Sequence, residues 1–145
     1  HKPLSFEILD IDYFKQYNDR YGHQAGDDCV RAIAALIRQM ESDQIFCARY
    51  GGDEFVIIYS GMSAEEVCER AEKLRQDVMA LQIEQRYAEG SFGVTISQGI
   101  CHDIPSNGNK NWDFLHVADQ ALYRVKRRGR NRLCMTDIHG REIEV

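Results

Sequence analysis

The chain has 145 residues, 43% hydrophobic and 28% charged, with a net charge of −5; this is the length and composition of one soluble globular domain with a sizeable core. No apolar run approaches the roughly 18 residues of a membrane span, no signal-peptide pattern opens the chain, and the acidic balance disfavours a general affinity for nucleic acid. The five cysteines, Cys29, Cys47, Cys68, Cys101 and Cys134, are odd in number and free of any CxxC pair, which speaks against a disulfide scaffold or a zinc site and predicts reduced, mostly buried thiols.

In chain order, "LSFEIL" reads as a strand running into Asp10-Ile11-Asp12. "YFKQYNDRYG" reads as a short helix ended by Gly22. Residues 25–41 place Val30, Ile33, Ala34, Ile37 and Met40 on one face, an amphipathic helix. "IFCARY" and "FVIIY" are apolar runs around Gly51-Gly52-Asp53-Glu54, a strong hairpin signal. Ser63 opens a further helix, with Val67, Ala71, Leu74 and Val78 as its buried stripe and Ser63 with Glu66 as a capping box. "FGVTISQGI" reads as a strand, and "IPSNGNKN", 104–111, as the one long loop. Trp112 to Lys126 reads as a helix with Leu115, Ala118, Leu122 and Val125 inward; Gly129 ends it and "RLCMT" follows as a late strand. This order predicts an α/β sandwich, a central and largely antiparallel sheet covered by helices.

Charge is uneven along the chain. "RVKRRGRNR", Arg124 to Arg132, carries six basic residues and forms a local anion attractor in an acidic protein. Asp10 and Asp12 sit where an apolar strand ends, the place where α/β folds present ligand groups, and at most one of them is expected in a given site. Asp12 is equally well read as a helix N-cap. Asp53 at the hairpin tip is placed to face Asp10. Two converging carboxylates repel unless a cation neutralises them, and a small hard-oxygen site suits Mg²⁺ shared with substrate phosphates. Asn18 and Asp27 flank a Gly-bounded turn before a helix. A carboxylate there can accept from the N1–H and 2-amino donors of guanine, a pair adenine lacks, while an amide can read neighbouring purine atoms. The plainer readings are a helix cap and dipole acid for Gly26-Asp27, and a solvent-exposed turn histidine for His23. Lys126 and Arg130, four apart around Gly129, are placed to converge on phosphate oxygens, whereas Arg124, Arg127 and Arg128 read as cations complementing a helix C-terminus.

"DIDYFKQYND", "YGHQAGD", "RYGGDEF" and "ADQALYRVKRRGRN", in this order and spacing, resemble the GGDEF diguanylate cyclase domain from about Leu9 to Asn131. The resemblance implies an α+β, palm-like fold related to nucleotidyl cyclases, with a β-hairpin carrying the signature. It implies a single catalytic domain over 1–145 that condenses two GTP molecules into cyclic di-GMP and releases two pyrophosphates. It further implies one GTP per domain and therefore a homodimer, with two Mg²⁺ per half-site, Mn²⁺ being an alternative. Under it, Asp10, Asp53, Glu54 and the Ile11 carbonyl match metal ligands, and Asp53 also the general base for the ribose 3′-hydroxyl. Glu54 matches the second acid that supports the site, and Lys15 a transition-state stabiliser. Asn18 and Asp27 match the guanine readers, His23 a member of the same pocket, and Lys126 and Arg130 the phosphate clamps. Gly51 and Gly52 let the backbone approach the nucleotide without a Cβ.

Three departures from the family pattern stand out. The RxxD product-inhibition site is replaced by Ser42-Asp43-Gln44-Ile45, which predicts no strong feedback through that site. Gln98 in "SQG" stands where an apolar residue is usual. The family's N-terminal "DxLTGLxNR" stretch is missing, and the abrupt start at "HKPLSFEILD" reads as a piece of a longer protein carrying an N-terminal sensory or regulatory module. The domain is expected to be cytoplasmic, including the case of a membrane-anchored bacterial parent. The competing function is a non-catalytic GTP-binding regulatory module; the intact signature acids favour the enzyme.

Overall fold

The strand Leu4–Ile11 (β1) organises the molecule, because its residues are buried on both faces and it is paired on both edges. A computed structural model describes residues 2–85, 93–106, 108 and 111–145. After β1 come α1 (Phe14–Tyr21), α2 (His23–Arg38), β2 (Ile45–Arg49), β3 (Glu54–Ser60), α3 (Ala64–Ala80), β4 (Ile96–Asp103), α4 (Asn111–Arg127) and β5 (Leu133–Thr136). The sheet order is β2-β3-β1-β4-β5. Its first three pairings are antiparallel, and only β4 with β5 is parallel, joined through α4 as a βαβ crossover. The predicted mainly antiparallel sheet flanked by helices is what the chain forms. Among the described residues no helix is long and apolar enough to cross a membrane.

Alternation along β1 divides the interior in two. Leu9 and Ile11 face the larger core, with Val30, Ile33 and Ile37 of α2 and Val67, Ala71, Leu74 and Val78 of α3. Phe6 and Ile8 face the smaller core, with Phe114, Ala118 and Leu122 of α4. Asp10 continues this second face, which puts it on the α4 side. Gly99 of β4 decides how close α4 comes. A Cβ there would stand 2.2 Å from the backbone nitrogen of Leu122 and 2.3 Å from the carbonyl of Ala118. The α4 backbone therefore lies directly on the strand, and its last turn ends over the tip of β1.

Several boundaries differ from the sequence reading. Helix α2 begins at His23 and ends at Arg38, rather than spanning 25–41, because Gly22 (φ 93°) both ends α1 and starts α2. Met40 lies past the helix and still packs on the core. Strand β4 is shifted towards the C-terminus: Gly93–Thr95 precede it, and pairing with β1 carries it on to Asp103 opposite Leu4. Phe92, and Asn107, Asn109 and Lys110 of the expected loop, lie outside the described residues. The Ser63–Glu66 capping box forms as expected. All five cysteines are free, with Cys29, Cys101 and Cys134 buried. Gln98 is buried and donates from Nε2 to the Ala71 carbonyl at 3.1 Å, tethering α3 to the sheet.

Glu7 is the exception within the larger core. It is fully buried, Tyr59 Oη donates to its Oε1 at 2.6 Å, and Oε2 has no partner. Burial pushes its pKa from 4.5 to about 7, against the smaller lowering effect of the Tyr59 hydrogen bond. Between those values the unfolded chain has already lost this proton while the folded protein keeps it, so stability falls as pH rises. The expected loss is about 3 kcal/mol across that window. Urea unfolding midpoints measured from pH 4.5 to 8 should show this decline in the native protein, and Glu7→Gln, which keeps the shape without the charge, should remove it.

Candidate functional site

Asp10, Asp53 and Lys126 meet where β1 ends. Asp10 is 7% exposed and pairs in register with Glu54 of β3 on one side and Ser97 of β4 on the other. Lys126, from the last turn of α4, places Nζ 2.5 Å from Asp10 Oδ2. The other oxygen, Oδ1, is buried and has no hydrogen-bond partner. Burial raises the Asp10 pKa to about 6; the bond and charge of Lys126 oppose the rise, and the carboxylates of Asp12 and Asp53 add to it.

The hairpin tip is fastened to this strand end. The Ile11 N–H donates to the Asp53 carbonyl at 3.2 Å, and the N–H groups of Tyr50 and Gly51 donate to the Glu54 carbonyl. Arg49 braces the turn from below, its guanidinium donating to the carbonyls of Gly51 and Gly52 at 3.0 and 2.6 Å. Neither Gly51 nor Gly52 has a positive φ, and a Cβ on Gly52 would meet nothing within 4 Å. The turn itself does not demand these glycines. What they leave is open space in front of the tip.

A buried carboxylate oxygen with no partner, next to a second carboxylate, is a donor set for a hard cation. Asp10 and Asp53 fit Mg²⁺ or Mn²⁺ in that sense, with the remaining positions left to water and phosphate oxygens. The third acid is not part of a closed cage: Glu54 lines a groove of about 250 Å³ with Tyr50, Trp112, Leu115 and His116. Among the described residues no group of three His, Cys, Asp or Glu side chains converges as a metal site.

Asp12 does not serve the site directly. Its Oδ1 accepts from Ser97 Oγ at 2.6 Å, and its Oδ2 from Thr95 Oγ1 at 2.7 Å and from the Asn131 N–H at 3.1 Å. Both Asp12 oxygens are thus occupied, which leaves Asp10 as the acid with a free oxygen. Residues two apart on a strand share a face, so it is these bonds, not alternation, that separate their roles. Asp12 is not a helix cap either; Tyr13 holds the N-cap position of α1, with no side-chain bond to the helix.

The two cations are carried differently. Lys126 comes down from α4. Arg130 follows Gly129 (φ 112°) and lies at φ 65°, with Asn131 at φ 50°, a left-handed run that costs roughly 1–2 kcal/mol for each non-glycine residue. Its guanidinium stacks 4.7 Å from the ring centroid of Tyr13, another left-handed residue (φ 56°). Arg124 and Arg128 instead pair with Glu142, and Arg127 lies over the Tyr123 ring.

Helices α1 and α2 carry the remaining candidates. Asn18 and Asp27 do not flank a turn before a helix; they project from two helices joined through Gly22. Asp27 is in the second turn of α2 and exposed, so it is not the cap. Asn18 Oδ1 is buried without a partner, against Gly26, where a Cβ would come within 1.7 Å of it. Gly26 thus gives the Asn18 amide its room. His23 opens α2 and is exposed, while Lys15 pairs with Asp19 at 3.0 Å on the exposed face of α1. The sequence reading missed the supporting roles of Asp12, Arg49 and Asn131; the only signal for Asp12 was its D-x-D spacing.

Residues 1–132 match the family described as "Diguanylate cyclase, GGDEF domain". A diguanylate cyclase of Vibrio cholerae is 37% identical over 145 residues, covering 92% of this chain and 40% of the relative. Diguanylate cyclase DosC of Escherichia coli is 35% identical over 132 residues, covering 90% of this chain and 28% of DosC. The chain thus spans less than half the length of these curated relatives. Among solved structures, the GGDEF domain of DgcB from Caulobacter crescentus in complex with c-di-GMP superposes with a TM-score of 0.81 at 35% identity, over 94% of this chain and 78% of that one. The active GGEEF domain of a Vibrio cholerae diguanylate cyclase gives 0.77 at 35% identity, over 92% and 83%.

If Lys126 holds Asp10 ionised, then Lys126→Met should move the Asp10 carboxyl titration upward from about 6, leaving the group protonated nearer neutrality. A ¹³C NMR titration of the aspartate side chains measures this directly. An unmoved midpoint would mean that the ion pair does not govern Asp10.

Proposed function

This chain belongs to the GGDEF diguanylate cyclase family, and we propose on that footing that it condenses two GTP molecules into cyclic di-GMP, releasing two pyrophosphates. The observation that carries the proposal is the unpartnered Asp10 oxygen near the Asp53 carboxylate, with Lys126 paired to the other oxygen. Acid and base are thereby assembled where a triphosphate and its cation would meet.

Each residue then has a role. Asp10, Asp53 and the Ile11 carbonyl would hold Mg²⁺, two ions per half-site with Mn²⁺ as the alternative, with Glu54 supporting the site; such ions would supply activation of the attacking hydroxyl and charge neutralisation at the leaving pyrophosphate. Asp53 takes the proton of the ribose 3′-hydroxyl as it attacks the α-phosphorus. Lys126 neutralises Asp10 until substrate arrives, then turns to phosphate, where Arg130 joins it. Lys15 adds positive charge where negative charge builds up. Gly51 and Gly52 leave the hairpin tip open to the triphosphate. Asp27 accepts from the guanine edge, Asn18 reads the same base, and His23 borders that pocket. Each copy holds one GTP, so the bond forms between two copies facing each other. The greater length of the relatives supports a sensory or regulatory module ahead of this domain in a parent protein, with the domain itself in the cytoplasm, where GTP is.

Incubation with GTP and Mg²⁺ at high protein concentration, followed by nucleotide chromatography, should yield cyclic di-GMP. Asp53→Ala should lower turnover by about three orders of magnitude, and excess ATP should not compete. GTP that binds and is never converted would instead identify a regulatory module.

The window Ser42 to Ile45 is a closed turn: Ser42 and Ile45 exchange backbone hydrogen bonds, and Gln44 Nε2 donates to the carbonyls of Ser60 and Gly61. It offers no arginine to an anionic product. Cyclic di-GMP should therefore inhibit only by occupying the active site, and its binding should disappear in variants that no longer bind GTP. Tight binding that survives such variants would contradict this.

A further inference from the structure

The left-handed run at Gly129–Asn131 is held from several sides at once. Asn131 N–H donates to Asp12 Oδ2 at 3.1 Å and to Ser97 Oγ at 3.2 Å. From α3, Arg75 Nη1 donates to the Asn131 carbonyl at 3.3 Å and to Asn131 Oδ1 at 3.0 Å. Arg75 is itself aimed by a two-pronged contact with Glu72, at 2.9 and 2.7 Å, and its side chain is only 16% exposed. The Arg130 N–H donates to the Val125 carbonyl, and the Arg130 carbonyl accepts from Arg132 Nε. Backbone conformations of this kind persist only where the surroundings over-determine them, and they concentrate where a side chain has to be aimed. The residue in the middle of the run is Arg130. Its backbone is fixed by the turn, so its guanidinium can be held over Tyr13, which follows the end of β1 by two residues.

We propose that Asp12 and Arg75 are positioning residues for triphosphate recognition: they clamp Asn131 from the sheet and from α3, and so aim Arg130 at the phosphates. This rests on the GTP reading above. Neither residue touches substrate. Their contribution reaches the phosphates through the turn and should leave recognition of the base untouched. It also makes α3 a lever on the phosphate end of the site, since Arg75 donates to Asn131 and Met79 Sδ accepts from the Asn131 side-chain amide at 3.7 Å.

The test compares affinities for guanosine and for a GTP analogue with a non-cleavable α,β-methylene bridge, by calorimetry with Mg²⁺. Arg75→Met should weaken the analogue about tenfold, the size of one or two charge-assisted hydrogen bonds, with guanosine binding and the melting temperature little changed. Arg75→Lys, which can still reach the Asn131 carbonyl, should recover most of the loss. Asp12→Asn should give the same phosphate-selective pattern; should it not fold, the Arg75 pair decides alone. Equal losses for analogue and guanosine would show general loosening and overturn the proposal, as would an Arg75→Met protein with wild-type affinity for the analogue. In the latter case the GTP reading stands; native protein that binds no analogue overturns both.

Discussion

A carboxylate at the end of a central strand is costly unless something neutralises it, and the molecule is arranged around how that is done for Asp10. Burial alone drives its pKa up, and Lys126 is the opposing charge. Lys126 can reach it only because α4 lies with its backbone on β4, and α4 can lie there only because residue 99 has no side chain. A methyl group at Gly99 would lift the helix and withdraw the lysine. One atom's worth of space in the sheet thus bears on the electrostatics of the site, one helical turn along α4 from Leu122 to Lys126. The pair leaves one carboxylate oxygen unspent, near the Asp53 carboxylate, and under the proposed reaction that is where a cation would bind.

The other cation is fixed by a different device. Arg130 is not carried on a helix but on a strained turn, and the strain is borne by contacts from three elements: the end of β1 through Asp12, β4 through Ser97, and α3 through Arg75. Lys126 is carried on α4, whereas Arg130 sits in a turn held by hydrogen bonds from α3, β4 and Asp12. Glu72 and Arg75, on the outer part of α3, therefore matter for the site even though nothing in their own surroundings looks functional.

The elements were legible in the sequence because they rest on period and punctuation. Val67, Ala71, Leu74 and Val78 recur at helical spacing, Ser63 and Glu66 cap, and glycines mark the ends. The signature blocks also gave the family. What could not be read were the bonds that cross the sheet. Asp12 looked like a cap or a second ligand, because its partners Thr95, Ser97 and Asn131 are 83 to 119 residues away. Glu7 passed as part of an apolar strand, since nothing local announces that its one partner is Tyr59. The hairpin glycines looked like turn residues, yet their backbone angles are ordinary. That last difference bears on function: residues that the turn does not require are left to be explained by what comes to lie against it.

The distribution of these features along one edge also has a consequence for assembly under the proposed reaction. Under that reading one chain would supply Asp10 and Asp53 as its acids, Lys126 and Arg130 for phosphate, and Asn18 with Asp27 for a base. A cyclic dinucleotide made of two identical nucleotides has two-fold symmetry, and two identical bonds must form. The least demanding arrangement is a two-fold pair of copies, each presenting its open hairpin tip and its bound nucleotide to the other. In that arrangement each Asp53 faces the 3′-hydroxyl held by the partner, and each bond is closed by the same geometry. In that arrangement the space that Gly52 leaves in front of the tip is room for the second nucleotide.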